Sequence, residues 1–298
     1  MKNRVFKNIF LSLAFVGAML LVGCVDQYQG EKNKKADSGE KRIIATSVAV
    51  AQITDLLDLD LVGVTDTTTF TLPKRYENVK RVGMPMGPDM EIIRSLKPTE
   101  VISPSSLKSY LEEQFKEAKI PYRFVNMSSV GAMYDSIDEI AKEYGRDEQA
   151  KKLRDEYEAL IKEYEQKRKD KKKPRVLILM GLPGSFVVAT NNSYVGNLAE
   201  LAGGENVVRD DAEEFLPINT EELVKLNPDM ILRTSHTMSD EVMEEFDEEF
   251  KKNDIWKHFD AVKNNKVYNL DNKYFGMSAT MGYKEGLKKL DELFYGEK

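Results

Sequence analysis

The sequence predicts an α/β fold of two lobes joined by one long backbone helix. Three observations carry this prediction. Apolar residues recur at helical spacing between Gly145 and Lys173, short strand-like runs alternate with helical stretches on both sides of that segment, and the two flanks share a matching piece of sequence.

At the N-terminus, Lys2, Arg4 and Lys7 precede an uncharged apolar run from Ile9 to Val22. The run is shorter than the roughly 20 apolar residues of a spanning helix and ends in small residues, so it predicts a cleaved export signal over residues 1–23. Leu21-Val22-Gly23-Cys24 resembles the bacterial lipobox, which makes Cys24 the lipidated first residue of the mature chain. The expected location is the extracytoplasmic face of the cell membrane. From Val25 to Lys41 the chain is polar and carries both charge signs; it cannot bury enough apolar surface to fold, so residues 24–41 are expected to be a flexible tether. Cys24 is the only cysteine, which excludes an internal disulfide and any cysteine-held metal cluster.

The N-terminal lobe is expected over residues 42–145. Its strand signals are Arg42–Ala45, Leu61–Val64, Glu100–Ile102 and Tyr122–Val125, separated by helical stretches as a parallel sheet with crossover helices requires. The backbone helix follows over residues 146–173, with Ala150, Leu153, Tyr157, Leu160, Ile161 and Tyr164 on one face and Pro174 as its stop. Roughly 25 helical residues would reach almost 40 Å. The C-terminal lobe takes residues 174–298, with strand signals at Arg175–Met180, Phe186–Ala189, Met230–Arg233 and Lys266–Tyr268. Between the lobes the sequence echoes itself. Glu91 to Pro98 leads into the strand ending at Ile102, and Glu221 to Pro228 leads into the one ending at Leu232. Two similar lobes enclose a cleft, where pockets form preferentially.

Composition excludes several functions. The net charge of -6, without a basic stripe, leaves no footprint for nucleic-acid binding. Gly181-Leu182-Pro183-Gly184-Ser185 lacks both the Gly-Lys-Ser/Thr ending of a phosphate loop and the Gly-x-Ser-x-Gly frame of a nucleophile turn, so it is expected to be a tight turn. With no triad and no dinucleotide fingerprint, the chain is not expected to be an enzyme. Only two histidines are present. His236 follows the strand Met230–Arg233, at the end where α/β lobes bind ligands, although a surface loop histidine fits equally well. His258 is expected to face solvent beside a packed Trp256. Of thirteen methionines, Met84 and Met86 stand out because they flank Pro85 in a turn-rich loop just before a helix starting near Asp89.

Pro85-Met86-Gly87-Pro88-Asp89, the run Val176 to Gly184, Leu201 to Val207, Ile231 to His236 and Asn253 to Phe259 resemble the substrate-binding proteins of bacterial ABC importers, in the class with a helical backbone. The resemblance runs from about Arg42 to the C-terminus and is greatest to the haem-receptor lipoproteins of that class. It implies a monomer that carries haem as transported ligand, a permease with its ATPase as partner, and haem-binding proteins at the cell surface upstream. By resemblance the axial methionine falls on Met86 and the axial histidine on His236, with Met84 the nearest competitor. Haem iron takes two axial ligands from opposite faces of the ring, so one from each lobe would clamp the porphyrin. Val48, Phe70, Tyr274, Phe275 and Met277 are candidates for its apolar walls. Thr46 and Ser47, at a helix start, offer hydroxyls to the propionates or simply cap that helix. Glu91 and Glu221 resemble the paired surface glutamates that meet permease arginines; such charges steer docking. The rival ligand is a ferric siderophore, whose receptors usually use arginines, tyrosines or tryptophans, and Trp256 is the only tryptophan here. A zinc or manganese receptor would need more histidines.

Overall fold

A computed structural model describes residues 40–68, 70–236 and 239–296. The expected signal over residues 1–23, Cys24 and the tether up to Gly39 lie outside the described residues. Every described strand signal becomes a strand, because each is a short β-branched or aromatic run bounded by turn residues.

In the N-terminal lobe the order is β1 (Ile43–Ala45), α1 (Val48–Leu56), β2 (Leu61–Val64), β3 (Gly83–Met84), β4 (Gly87–Pro88), α2 (Met90–Ser95), β5 (Glu100–Pro104), α3 (Lys108–Glu117) and β6 (Tyr122–Val125). Strands β2-β1-β5-β6 form a wholly parallel sheet, and β3 and β4 form a separate hairpin. Two helices then follow. α4 (Val130–Tyr144) ends at Gly145, whose φ of 65° is the left-handed cap a glycine takes most cheaply, and α5 (Asp147–Arg168) starts two residues later. α5 is the expected backbone helix, but it stops at Arg168, so its 22 residues reach about 33 Å. Lys169 to Lys173 lie beyond its end.

The C-terminal lobe runs β7 (Arg175–Leu182), β8 (Ser185–Ala189), α6 (Tyr194–Leu201), β9 (Glu205–Asn206), β10 (Phe215–Pro217), α7 (Thr220–Leu226), β11 (Met230–Ser235), α8 (Ser239–Lys252), α9 (Asp260–Lys263), β12 (Val267–Asn269) and α10 (Tyr283–Tyr295). Its sheet, β10-β8-β7-β11-β12 with β9 beside β7, corrects the expectation of purely parallel strands. β8 returns antiparallel on β7, and β10 antiparallel on β8. Pro183 and Gly184 form the tight turn between β7 and β8, and Gly184 takes a φ of 73°. A two-residue link leaves no room for the crossover that a parallel neighbour needs.

One buried core runs through both lobes. It contains Ile43 and Ala45 of the first sheet, Val176 and Ile178 of the second, and Tyr134, Tyr194 and Leu287 from the helices between them. Polar contacts close the seam. Ala279 N–H donates to Met127 O at 2.8 Å, Val130 N–H to Asn197 Oδ1 at 3.1 Å, and the hydroxyls of Tyr134 and Tyr283 meet at 3.0 Å. Tyr157 of α5 stacks on Tyr134 with 4.5 Å between ring centroids.

The C-terminal end of α5 is fastened differently. Arg168 is buried, donates Nε–H to Asp291 Oδ1 at 3.1 Å and Nη1–H to Leu201 O at 2.7 Å, and lies 4.0 Å from the Tyr164 ring. Lys167 pairs with the other carboxylate oxygen. Burial alone would raise the Asp291 pKa; the hydrogen bonds from Lys167 and Arg168 outweigh it and hold the carboxyl below its usual value. Its folded-state pKa is therefore depressed, so the stabilisation is complete above the unfolded carboxylate range and disappears as pH falls through the folded value. Replacing Asp291 by alanine strands a buried guanidinium. Urea denaturation at neutral pH is expected to show a loss of about 3 kcal/mol, and that difference from wild type is expected to shrink in acid.

Candidate functional site

The C-terminal ends of β5 and β6 open onto a groove between the lobes. This groove of about 670 Å³ is lined by Ser105, Lys108, Asn126 and Ser129 from the first lobe and by Asn191, Asn192, Asp211 and Glu214 from the second. These residues follow β5 and β6 on one side and the antiparallel β8 on the other, so on the second lobe the groove lies at the end of the sheet opposite the one from which His236 emerges.

Met86 and His236 lie outside this groove. β2 continues into the hairpin region through Val64 N–H donating to Lys80 O and Asp66 N–H to Gly83 O. In the β3–β4 hairpin, Met84 pairs with Gly87, and Pro85-Met86 form the turn. Met84 and Met86 are 46% and 48% exposed. Large apolar side chains in such positions contribute nothing to the cores, and neither residue packs against one. Asp89 caps α2 immediately after the hairpin, accepting from the N–H groups of Glu91 and Ile92.

His236 continues the β11 ladder by one bond, its N–H donating to Gly181 O at 3.1 Å. It is only partly exposed, and burial pushes its imidazole pKa below the ordinary 6.5. The neutral ring that results is the form able to donate a lone pair to a metal. Two residues earlier, Thr234 Oγ1 donates to Phe275 O at 2.7 Å. His258 is exposed at the end of a single 3₁₀ turn, beside Trp256, which is buried between Phe250 and Phe259.

The wall candidates divide. Val48, Tyr274 and Met277 are half-buried and Phe70 is exposed, whereas Phe275 is 1% exposed and belongs to the shared core. Thr46 is also 1% exposed. Its hydroxyl donates to Ile102 O and contacts Ser103 Oγ, while Ser47 Oγ accepts from Val50 N–H and caps α1. Thr46's hydroxyl is engaged inside the first lobe, whereas Ser47 caps α1 by accepting and keeps its own proton to donate. Neither cavity described, the groove above or a smaller one of about 280 Å³ beside Gln52 and Met281, is lined by Met86 or His236. Among the described residues no group of three or more His, Cys, Asp or Glu gathers as a metal ion would need.

The internal echo is structural. Asp89 and Asn219 cap α2 and α7, Glu91 and Glu221 lie in the first turns, Lys97 and Asn227 take φ of 47° and 43°, and a proline then leads into β5 or β11. Because each helix runs back from the cleft to the start of a strand, both glutamates sit at cleft-side ends, one per lobe.

A family model described as periplasmic binding protein matches residues 43–274. The chain belongs to that family. This binding protein is 42% identical over 290 residues to the high-affinity heme uptake system protein IsdE of Staphylococcus aureus strain MRSA252, covering 97% of this chain and 98% of that one. It is similar to the crystal structure of S. aureus IsdE complexed with heme, with a TM-score of 0.82, 43% identity, and coverage of 86% of this chain and 100% of that one. An ABC transporter substrate-binding protein from Listeria monocytogenes EGD-e has the same TM-score with 47% identity, over 87% of this chain and 100% of that one. The family binds solutes and does not transform them, in agreement with the expected absence of catalysis.

The polar groove was not anticipated. Its signals were the runs Asn126-Met127-Ser128-Ser129 and Asn191-Asn192-Ser193, which resemble ordinary helix caps and partly are: Ser129 and Ser193 cap α4 and α6. In the free binding protein, an NMR titration of the imidazole protons is expected to give His236 a midpoint below 6.5; a midpoint above it would contradict the burial of the ring.

Proposed function

We propose that this binding protein captures haem between its lobes and hands it to an ABC permease for iron acquisition. The observation that carries this reading is near end-to-end similarity to IsdE, at 42% identity, together with the match to a heme complex of that protein. Haem is the cargo here. The residues on hand suit it: an unpacked thioether at Met86 in one lobe and a neutral imidazole at His236 in the other offer the two soft axial donors that haem iron accepts from opposite faces. With both positions filled by protein, oxygen has no open site on the iron, as transport without chemistry requires. Val48, Tyr274 and Met277 offer half-buried apolar surface for the porphyrin walls, and Phe70 adds an exposed ring.

Glu91 and Glu221 are the proposed contacts to permease arginines, one per lobe. Cys24 is the proposed lipid attachment site, holding the monomer at the outer face of the membrane within reach of haem-binding proteins farther out. Two acyl chains would anchor it stably, and the tether would keep its effective concentration at the permease high. The alternative ligand is a ferric siderophore, and the polar groove does not support it. The groove's lining carries Lys108 against Asp211 and Glu214, a balance that disfavours an anionic chelate.

Titration with haem, followed by the Soret band, tests the reading. Wild type and His258→Ala are expected to bind alike, whereas Met86→Ala and His236→Ala lose haem faster to a competing acceptor. Glu91→Arg with Glu221→Arg is expected to leave the titration unchanged and to lower uptake into cells. No Soret change in the wild type would remove haem as the cargo.

A further inference from the structure

The β3–β4 hairpin carries a second thioether that the axial assignment leaves unused. Met84 and Met86 stand on either side of Pro85 with nearly equal exposure. Opposite Met84 across the hairpin is Gly87, where even an added Cβ would meet nothing within 4 Å, so no cross-strand side chain covers Met84. The base of the hairpin, in contrast, is fixed. Gly83 takes a φ of 95°, and a Cβ there would stand 3.0 Å from both Asp89 N and Gly87 O. The Gly83 carbonyl accepts from Asp66 N–H at 2.8 Å and Thr65 Oγ1 at 3.3 Å, and Asp89 N–H donates to Val82 O at 2.7 Å. The backbone is held while the two sulfurs are free. Methionine is unbranched with three rotatable side-chain bonds, so either sulfur can be re-aimed by rotamers without moving the hairpin.

We propose that Met84 is a second iron-binding thioether, which takes the axial position from Met86 as haem enters or leaves the cleft. The proposal rests on the reading of Met86 as the resting ligand. In the exchange the iron–sulfur bond to Met86 breaks as one to Met84 forms. Each sulfur donates a lone pair, so no proton, electron or net charge moves. Two thioethers at one rim let the iron change partners without passing through a state open to water, and they give the cargo a path from the resting position to the edge of the cleft.

The full-length protein loaded with ferric haem, as wild type, Met84→Ala, Met86→Ala and the double variant, tests this. The readouts are the charge-transfer absorption that a thioether sulfur gives ferric haem, and the rate of haem loss to an excess of apo-myoglobin. Both positions are exposed and outside the cores, and a thermal melt of each variant checks that it is folded. Met86→Ala is expected to keep the thioether band, and the double variant to lose it and to release haem about tenfold faster than Met86→Ala. If wild type shows the band and Met86→Ala lacks it as completely as the double variant, Met84 does not reach the iron, although Met86 stands. If Met84→Ala alone loses the band, Met84 binds iron and the assignment of Met86 fails. If no variant alters either readout, both assignments fall.

Discussion

The seam between the lobes sets everything else in this molecule. A ligand gripped from two sides is held well only if the two sides keep their separation, and here that separation is fixed by α4, α6 and α10 meeting around Tyr134, Tyr194 and Tyr283. Bonds from Ala279 to Met127 and from Val130 to Asn197 stitch the lobes at backbone level, and a single apolar core continues through them. Close-packed interiors have few alternative arrangements, so a shared core resists the opening that a lone connecting strand would allow. The backbone helix contributes by being fastened at its far end, where Arg168 and Asp291 pair out of water.

Much of this was legible in the sequence, for identifiable reasons. Strands such as Val176 to Met180 are continuous β-branched or aliphatic runs with no competing period, and α5 shows its spacing over many turns. The echo from Glu91 to Pro98 and from Glu221 to Pro228 was readable because a cap, a short helix, a left-handed residue and a proline leave fixed marks. What was not legible depended on distant partners. Nothing local says that Phe186 to Ala189 returns antiparallel until the two-residue Pro183–Gly184 link is counted against the span a crossover needs. Thr46 looked like a ligand donor because a hydroxyl at a helix start suits an anion; only the fold shows that Ile102 and Ser103, more than fifty residues away, engage it. The same holds for Phe275, an aromatic ring whose place in the core is set by the segment beyond β12.

Polar and apolar surfaces are kept apart: the groove between the lobes is lined by asparagines and serines, and the exposed methionines and the desolvated histidine lie outside it. A porphyrin has the matching asymmetry, with an apolar face, a metal at its centre and carboxylates along one edge. The hairpin is seated by buried Pro88 and Val82 at its base, while the Met84 and Met86 side chains near its turn stay exposed. In the proposed reading the hairpin's thioethers and His236 are the donors offered to such a ligand.

The central claim is that the seam holds the cleft ready and that binding needs no closure of one lobe on the other. Spin labels at Lys108→Cys and Asp211→Cys, on opposite rims of the groove in a chain with Cys24→Ser, measure this by electron–electron distance. A change below about 1 Å on loading with haem is predicted, as for a pre-organised site. Approach of the rims by more than about 2 Å would contradict it and would show that the seam is a hinge.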